Sequence, residues 1–255
     1  MEELLRAGER IDDLQINGLR IIQNPQGFCF GTDAVLLANY VALKKGDYVV
    51  DLGTGTGIIP ILLAGKSENT LVKAVEIQSQ MADMAERSVK LNRLEHRIQV
   101  INGDLKALEK HLPSNSFQVV TSNPPYMVPQ GLINPGEAKA ISRHEVKCTL
   151  EDVVKAAARL LQYQGRFYLI HRPQRLVDIL TCCRDHRLEP KQLRFVHSDP
   201  TKKPVLLLLE CRKEGRPELK FMDPLMIRGE SGNYTEELHQ IYGKKSLMEG
   251  SESHG

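Results

Sequence analysis

The chain has 255 residues, 41% of them hydrophobic and 26% charged, with a formal net charge of +2. That length suits one large domain with small appendages, and the composition suits a packed core rather than a disordered or fibrous chain. A net charge this small excludes a uniformly basic nucleic-acid binder, so any basic face must come from local clustering. No apolar run is long enough for a membrane helix, and Met1-Glu2-Glu3 is not the start of a secretory signal, so neither is expected. The five cysteines (Cys29, Cys148, Cys182, Cys183 and Cys211) contain no Cys-x-x-Cys, which predicts reduced thiols in a cytoplasm without disulfides or a zinc site.

After a charged leader, Leu14 to Ile22 carries Asn17-Gly18 between apolar-rich runs, the strongest short signal for a β-hairpin. Gly27 to Asp33 then leads into Ala34-Val35-Leu36-Leu37-Ala38, a short buried helix with Thr32 or Asp33 as its cap. From Gly46 strands and helices alternate. Strands are expected at Tyr48–Asp51, Leu71–Glu76, Ile98–Ile101, Phe117–Thr121 and Arg166–Ile170, with helices at Ile58–Ala64 and Gln78 to about Asn92. Met127 to Arg143 is aperiodic and carries Gly and Pro, the composition of a functional or mobile loop. Thr149-Leu150-Glu151-Asp152 caps a helix that Gly165 is expected to end, and another helix follows Pro173. Strands at Leu193–His197 and Val205–Glu210 complete seven. Only Ser198 to Pro204 joins them, too short for a crossover helix, so they should be antiparallel neighbours. Repeated βα units with apolar strands predict an α/β fold with a doubly wound, mostly parallel sheet, an antiparallel last strand and helices on both faces. The expected division is 1–45 as a hairpin and helix, 46–212 as the main domain, 213–245 as a small appendix and 246–255 as a disordered tail.

Asp51-Leu52-Gly53-Thr54-Gly55-Thr56-Gly57 stands where the first of these strands turns into a helix, and its glycines allow a ligand to approach the backbone. A dinucleotide fingerprint would need glycine where Ile58 stands, and a Walker lysine is missing too. Beside Asp51 a pyrophosphate is a poor ligand, whereas a zwitterionic amino-acid group suits the turn. Glu76 ends the second strand, nineteen residues after Gly57, where a carboxylate can accept both hydroxyls of a ribose. Asp104, past the third strand, can accept from an adenine amino group. Ser122-Asn123-Pro124-Pro125-Tyr126 follows the fourth. Its prolines force a rigid, extended exit, the Asn123 amide oxygen and the Pro124 carbonyl make a pair of acceptors for an exocyclic amine, and Tyr126 adds a ring that can stack on a flat heterocycle.

Taken together these motifs resemble the class I S-adenosylmethionine-dependent methyltransferases of Rossmann-like fold. Asp51–Gly57 matches the family's glycine loop, Glu76 its ribose-binding acid and Asp104 its adenine-side acid. Asn123-Pro124-Pro125-Tyr126 matches the motif shared by enzymes that methylate adenine N6, guanine N2 or glutamine N5. More narrowly, Arg10 to Leu14, Phe28 to Leu37, His171-Arg172-Pro173 and Pro224-Leu225 resemble bacterial tRNA(Val) adenine-37 N6-methyltransferases, a similarity spanning about residues 9–242.

The resemblance implies S-adenosyl-L-methionine as cofactor, held by Phe30, Thr32, Asp51, Gly53, Gly55, Gly57, Glu76, Asp104 and Asn123. It implies catalysis by Asn123, Pro124 and Tyr126 on a base turned out of its strand, with tRNA as substrate and neither metal nor membrane involved. Arg172, Arg175, Lys202 and Lys203 are the candidate phosphate contacts, and a monomer is compatible with all of this. Rival functions are a protein glutamine methyltransferase, an rRNA guanine-N2 methyltransferase, and an inactive RNA-binding protein of the same fold. His144, between Arg143 and Glu145, is equally well read as a substrate contact or as part of a surface ion-pair cluster.

Overall fold

A computed structural model describes residues 2–25, 31–125 and 148–243. Asn17 and Gly18 both take positive φ (51° and 69°), as the centre of a type I′ turn requires, and the Leu19 amide closes the turn on the Ile16 carbonyl at 2.9 Å. The paired strands lie one step further out than the apolar pattern implies, β1 at Arg10–Asp13 and β2 at Arg20–Gln23. Helix α1 spans Thr32–Tyr40. Its cap position is Gly31, not Thr32 or Asp33. Asp33 is already helical, and its Oδ1 accepts from the Ala34 amide at 2.9 Å.

The alternating region follows as β3 (Tyr48–Leu52), α2 (Ile58–Lys66), β4 (Leu71–Glu76), α3 (Ser79–Leu91), β5 (Ile98–Asn102) and β6 (Phe117–Ser122). Then come α4 (Leu150–Leu160), β7 (Leu161–His171), α5 (Leu176–Asp185), β8 (Leu188–His197) and β9 (Pro204–Lys213). Helix α4 carries the capping box expected at Thr149 and Asp152. It stops before Gly165, because Leu161 is already extended (ψ 137°). Gln164, at φ 60°, instead makes an irregularity early in β7, across which Phe117 pairs with Leu161 but Val119 with Arg166.

The strand order is β5-β4-β3-β6-β7-β9-β8, with β9 antiparallel to both of its neighbours and the other strands parallel. Two further two-residue strands, β10 (Lys220–Phe221) and β11 (Leu225–Met226), pair with the outer edge of β8 and bring the described sheet to nine strands. Segments that short carry no periodicity, so seven is all the pattern can reveal. A last helix, α6 (Glu236–Ile241), buries Leu238 and Ile241 in the same cluster as Leu14, Ile21, α1 and α2. The opposite sheet face packs under α4 and α5 through Val50, Val120, Phe167 and Leu207. Among the described residues no helix is long and apolar enough to cross a membrane.

At the edge where β3 begins, Arg166 of β7 reaches across to Asp47 at 2.6 Å and to the Ala42 carbonyl, with both side chains under a tenth exposed. Removing one member of a buried pair leaves the other charge without compensation. Asp47→Ala should therefore lower unfolding free energy by about 3–5 kcal/mol in urea titration. A loss well below about 1 kcal/mol would mean that water already screens the pair.

Candidate active site

The chain runs β3, β4, β5 outward in one direction and then returns to place β6 on the other side of β3. That reversal makes the carboxyl ends of β3 and β6 the topological switch point, where open α/β sheets bind ligands. The register is parallel, with Asp51 opposite Thr121 and Leu52 opposite Ser122. Gly53 and Asn123 thus leave the sheet side by side. Ser122 Oγ donates to the Leu52 carbonyl at 2.8 Å and fixes the two exits together.

The glycine turn leans toward β4. The amides of Gly53 and Thr54 both donate to the Val75 carbonyl at 3.0 Å. Gly53, Gly55 and Gly57 all hold positive φ (76°, 58° and 90°), but for two different reasons. A Cβ on Gly53 or Gly55 would meet nothing within 4 Å, so these two line open space. A Cβ on Gly57 would lie 3.2 Å from that of Ala85, so this glycine lets the start of α2 rest on α3.

Glu76, buried at the end of β4, is locked by backbone donors. Its Oε2 accepts from the Gly55 amide at 3.0 Å and its Oε1 from the Gln78 amide at 2.8 Å. Gln78 Nε2 adds a longer contact to Oε1 at 3.3 Å. A carboxylate has about four acceptor positions, so Oε2 keeps one free, and the long Gln78 side-chain contact is the one a ligand hydroxyl can replace. Asp51 is fully buried, and its Oδ1 accepts from Thr121 Oγ1 at 2.6 Å. Its Oδ2 has no hydrogen-bond partner among the described residues. Burial pushes its pKa from 3.8 up to about 6. The Thr121 hydrogen bond pulls against that rise, as does the Thr54 hydroxyl, which lies near the carboxylate without a formed hydrogen bond, and the Glu76 carboxylate adds to it. Asp104 caps the 3-10 turn Leu105–Lys110 through the Lys106 amide, 2.9 Å from its Oδ1. Next to it the Gly103 amide and Asn102 Nδ2 both donate to the Glu76 carbonyl at 2.9 Å, bringing the ends of β4 and β5 together.

Asn123 is half-buried, Pro124 buried and Pro125 exposed. Phe30, Tyr126 and His144 lie outside the described residues. Thr32, at the start of α1, is hydrogen-bonded to the Tyr242 hydroxyl from the end of α6. Three contributors escape a reading of the sequence. Thr121 looks like an ordinary strand residue until its register opposite Asp51 is known. Asn102 looks like a turn residue. Ile77 gives one weak signal, as a large apolar side chain in a polar stretch, and stands 37% exposed directly after Glu76.

The register settles where the basic candidates lie. His171 pairs with Leu207 and His197 with Pro204, so the Ser198–Lys203 turn stands at the same edge as Asn123. It rises some four residues beyond Asn123, roughly 13 Å at strand rise. Lys202 and Lys203 are exposed there. Arg175 is paired with Asp178 at 2.6 Å, and Arg172 reaches the Val205 carbonyl at 3.4 Å. His171 cannot join them as a cation. Burial and the nearby arginines lower its pKa to about 4, and its Nδ1 accepts from the Arg172 amide at 2.8 Å. It is neutral at pH 7.

Residues 26–180 match the family model of the methyltransferase small domain. The chain belongs to that family. It is 31% identical to a tRNA1(Val) (adenine(37)-N6)-methyltransferase of Pedobacter heparinus, over 73% of this chain and 78% of the relative. A protein of the same name from Porphyromonas gingivalis is also 31% identical, over 81% of this chain and 84% of its own length. Among solved structures, one titled as a predicted O-methyltransferase from Agrobacterium tumefaciens superposes with a TM-score of 0.69 at 27% identity, covering 83% of this chain and 95% of that one. Geranyl diphosphate C-methyltransferase from Streptomyces coelicolor, solved with S-adenosyl-L-homocysteine, shares the fold at 13% identity. Its TM-score is 0.52, over 71% of this chain and 80% of its own.

The residues of this methyltransferase fit S-adenosylmethionine. Gly53 and Gly55 leave a cradle that a side chain on either would enter. The buried Asp51 Oδ2 needs a donor, which an ammonium group provides. Glu76 keeps a free acceptor position on Oε2, and a second opens where a ligand hydroxyl replaces the long Gln78 side-chain contact. Among the described residues no group of three or more His, Cys, Asp and Glu is placed to hold a metal ion.

An ammonium ligand prefers ionised Asp51, so affinity for S-adenosylhomocysteine should rise as pH climbs through about 6, and Asp51→Asn should bind more weakly with that dependence flattened. Folding raises this pKa, so the carboxyl's contribution to stability is lost as pH rises from about 4 to about 6. The ligand-free Asn variant should therefore melt as high as the native protein at pH 7, or higher. Calorimetric titrations and melting curves across pH 5–8 check both. An unchanged pH profile of affinity would remove Asp51 from the cofactor site.

Proposed function

We propose that this methyltransferase moves a methyl group from S-adenosylmethionine to the exocyclic N6 amino group of an adenine in tRNA, with adenine 37 of tRNA(Val) as its target. One observation carries the reading: the parallel pairing of Leu52 with Ser122, which makes the glycine turn and the Asn123-Pro124-Pro125 exit neighbours at the switch point. The names of the Pedobacter and Porphyromonas relatives supply the acceptor. In this reading residues 46–212 form the catalytic domain, flanked by 1–45 and 213–245, in a cytoplasmic enzyme.

S-adenosylmethionine supplies a methyl group already activated on a sulfonium. The chain's own residues do the rest by holding and orienting. Gly53, Gly55, Asp51 and Glu76 hold the amino-acid and ribose portions. Ile77 offers an apolar surface and Asp104 an acceptor where the adenine portion belongs. On the acceptor side the obstacle is the target amine, whose lone pair is delocalised into the purine ring. Asn123 Oδ1 and the Pro124 carbonyl accept its two N–H hydrogens and favour the pyramidal nitrogen that has its lone pair free. Two consecutive prolines fix the backbone that carries those acceptors, so the direction of the Pro124 carbonyl is set before the base arrives. Tyr126, next in sequence, brings a ring suited to stacking on a base turned out of its strand. The anticodon loop, being single-stranded, makes that turning-out cheap.

Asn123→Ala should leave S-adenosylhomocysteine affinity nearly intact and slow single-turnover transfer by about a hundredfold or more. With labelled donor and bulk bacterial tRNA, the product nucleoside should be N6-methyladenosine. N2-methylguanosine, or label in protein rather than RNA, would overturn the assignment. Native-rate transfer by Asn123→Ala would reduce that residue to a turn former.

The basic turn gives an independent check. Each phosphate neutralised by a lysine releases condensed counterions. Replacing Lys202 and Lys203 together by Ala should weaken tRNA binding and lower the log–log salt slope by roughly 0.7–0.9 for each lysine that touches a phosphate. Filter binding across a salt series should separate the two proteins, and coincident lines would remove both lysines from the RNA surface.

A further inference from the structure

Beyond β11 the chain makes a tight hairpin from Ile227 to Thr235, which stands on the outer rim of the site edge. The Ile227 amide donates to the His197 carbonyl at 2.9 Å and the Arg228 amide to Ser198 at 3.0 Å, so the hairpin continues upward alongside the lysine-bearing turn. It closes through the Gly229 amide on the Asn233 carbonyl (2.9 Å) and the Thr235 amide on Ile227 (3.1 Å), with Arg228 and Tyr234 paired across it. Thr235 Oγ1 donates to the Met226 carbonyl at 2.7 Å and caps α6, which packs on α1. This is a rigid, hydrogen-bonded mount.

What it displays is unusual for a surface turn. The Arg228 guanidinium lies 4.4 Å from the centroid of the Tyr234 ring, held in place by a 2.8 Å bond from Nη1 to the Gly232 carbonyl. Tyr234 is still 50% exposed, and the His239 ring stands edge-on to it at 6.2 Å. Arg228, Lys202 and Lys203 are exposed on this rim, with Glu230 and Glu236 beside them. Glu237 is paired with Arg194 at 2.7 Å, and Asp199 is engaged by Thr201 and Ser198. The patch is therefore only mildly basic, and its distinguishing feature is a pre-stacked planar cation and ring. Neither ring nor guanidinium is needed to pack the core, which here consists of Leu225, Leu238 and Ile241.

We propose that Arg228 and Tyr234 form a stacking platform for an unpaired base of the tRNA, anchoring the RNA away from the pocket. Four strand spacings separate β6 from β11, roughly 19 Å across the sheet edge, so the platform engages a nucleotide other than the one being methylated. Arginine–aromatic surfaces receive single-stranded bases without reading sequence. The lysines of the β8–β9 turn stand on the pocket side of the platform, where backbone leading from that base toward the pocket would pass. This inference rests on the tRNA reading above and extends it from the pocket to the outer rim.

The test uses the full-length protein and a tRNA(Val) transcript, with affinity read by fluorescence anisotropy across a salt series. Tyr234→Ala should weaken binding roughly tenfold, the loss of one stacked base, and leave the salt slope unchanged. Arg228→Ala should weaken binding by a similar factor and reduce the slope by about 0.7–0.9. Tyr234→Phe keeps the ring and should bind like the native protein. S-adenosylhomocysteine affinity should be unaltered throughout, and the loss should appear in the KM for tRNA. Native affinity in both alanine variants, or an equal loss in Tyr234→Phe and Tyr234→Ala, would overturn the platform while leaving the methyltransferase reading standing. Failure of the native protein to bind or methylate tRNA would bring down that underlying reading instead.

Discussion

The hydrogen bond from Thr121 to Asp51 joins the two strands on which everything at this site depends. It is 2.6 Å long, fully buried, and spans 70 residues of sequence. Below it Val49 and Val50 face Val119 and Val120, and Gln118, accepting from the Tyr48 amide at 2.8 Å, adds a polar side-chain link between the two strands. A one-residue slip would turn Asp51 and Thr121 to opposite faces of the sheet and separate the glycine turn from Asn123. This buried polar pair, with the Ser122–Leu52 bond above it, thus holds the register of the two strands that meet at the switch point. Specificity of this kind is what a buried polar contact provides even when its net contribution to stability is small.

The same carboxylate shows why the site is not optimised for stability. Asp51 sits where desolvation penalises its charge, and one oxygen lacks a protein donor. Glu76 avoids that difficulty because the Gly55 and Gln78 amides already hold it. The two acids are thus prepared differently. Glu76 is an acceptor in final position before any ligand arrives, whereas Asp51 carries a desolvated charge and an Oδ2 still lacking a donor. A site arranged this way trades some folding free energy for ligand selectivity.

How much of this was legible in the sequence follows from what each pattern can encode. Apolar runs between turn residues report strands and their burial, so the βα alternation from Gly46 and the antiparallel last pair are visible. Spacing reports chemistry where the chain itself supplies the geometry, as in Asp51 to Gly57. It cannot report partners. Thr121 opposite Asp51 and Asn102 beneath Glu76 arise from pairing between distant segments. Gly165 misleads because an isolated glycine after a helix usually marks its end, whereas here Gln164 takes the left-handed conformation inside the next strand. The outer rim is hidden for a third reason. Strands of two residues, and a hairpin defined by backbone bonds to β8, have no periodicity to detect.

The reversed direction of β9 has a bearing on how such a sheet can change its clientele. The links β3–β4, β4–β5 and β7–β8 cross from one edge of the sheet to the other through α2, α3 and α5, whose buried faces the core needs. The link from β8 to β9 begins and ends at the ligand edge and carries no core residue between Ser198 and Lys203. Lengthening a surface link of this type adds only a slowly growing loop-closure penalty, about 0.6 kcal/mol per doubling. In the hairpin beyond β11 only the tip, Gly229 to Asn233, is free in the same way, since Ile227, Arg228 and Thr235 are tied to β8 and to α6. Natural variation can therefore rebuild the outer wall by insertion and deletion while the switch point, with its Asp51–Thr121 clasp, keeps the donor chemistry fixed. The switch point is fixed by strand register, and the outer rim lies where the chain tolerates a change of length.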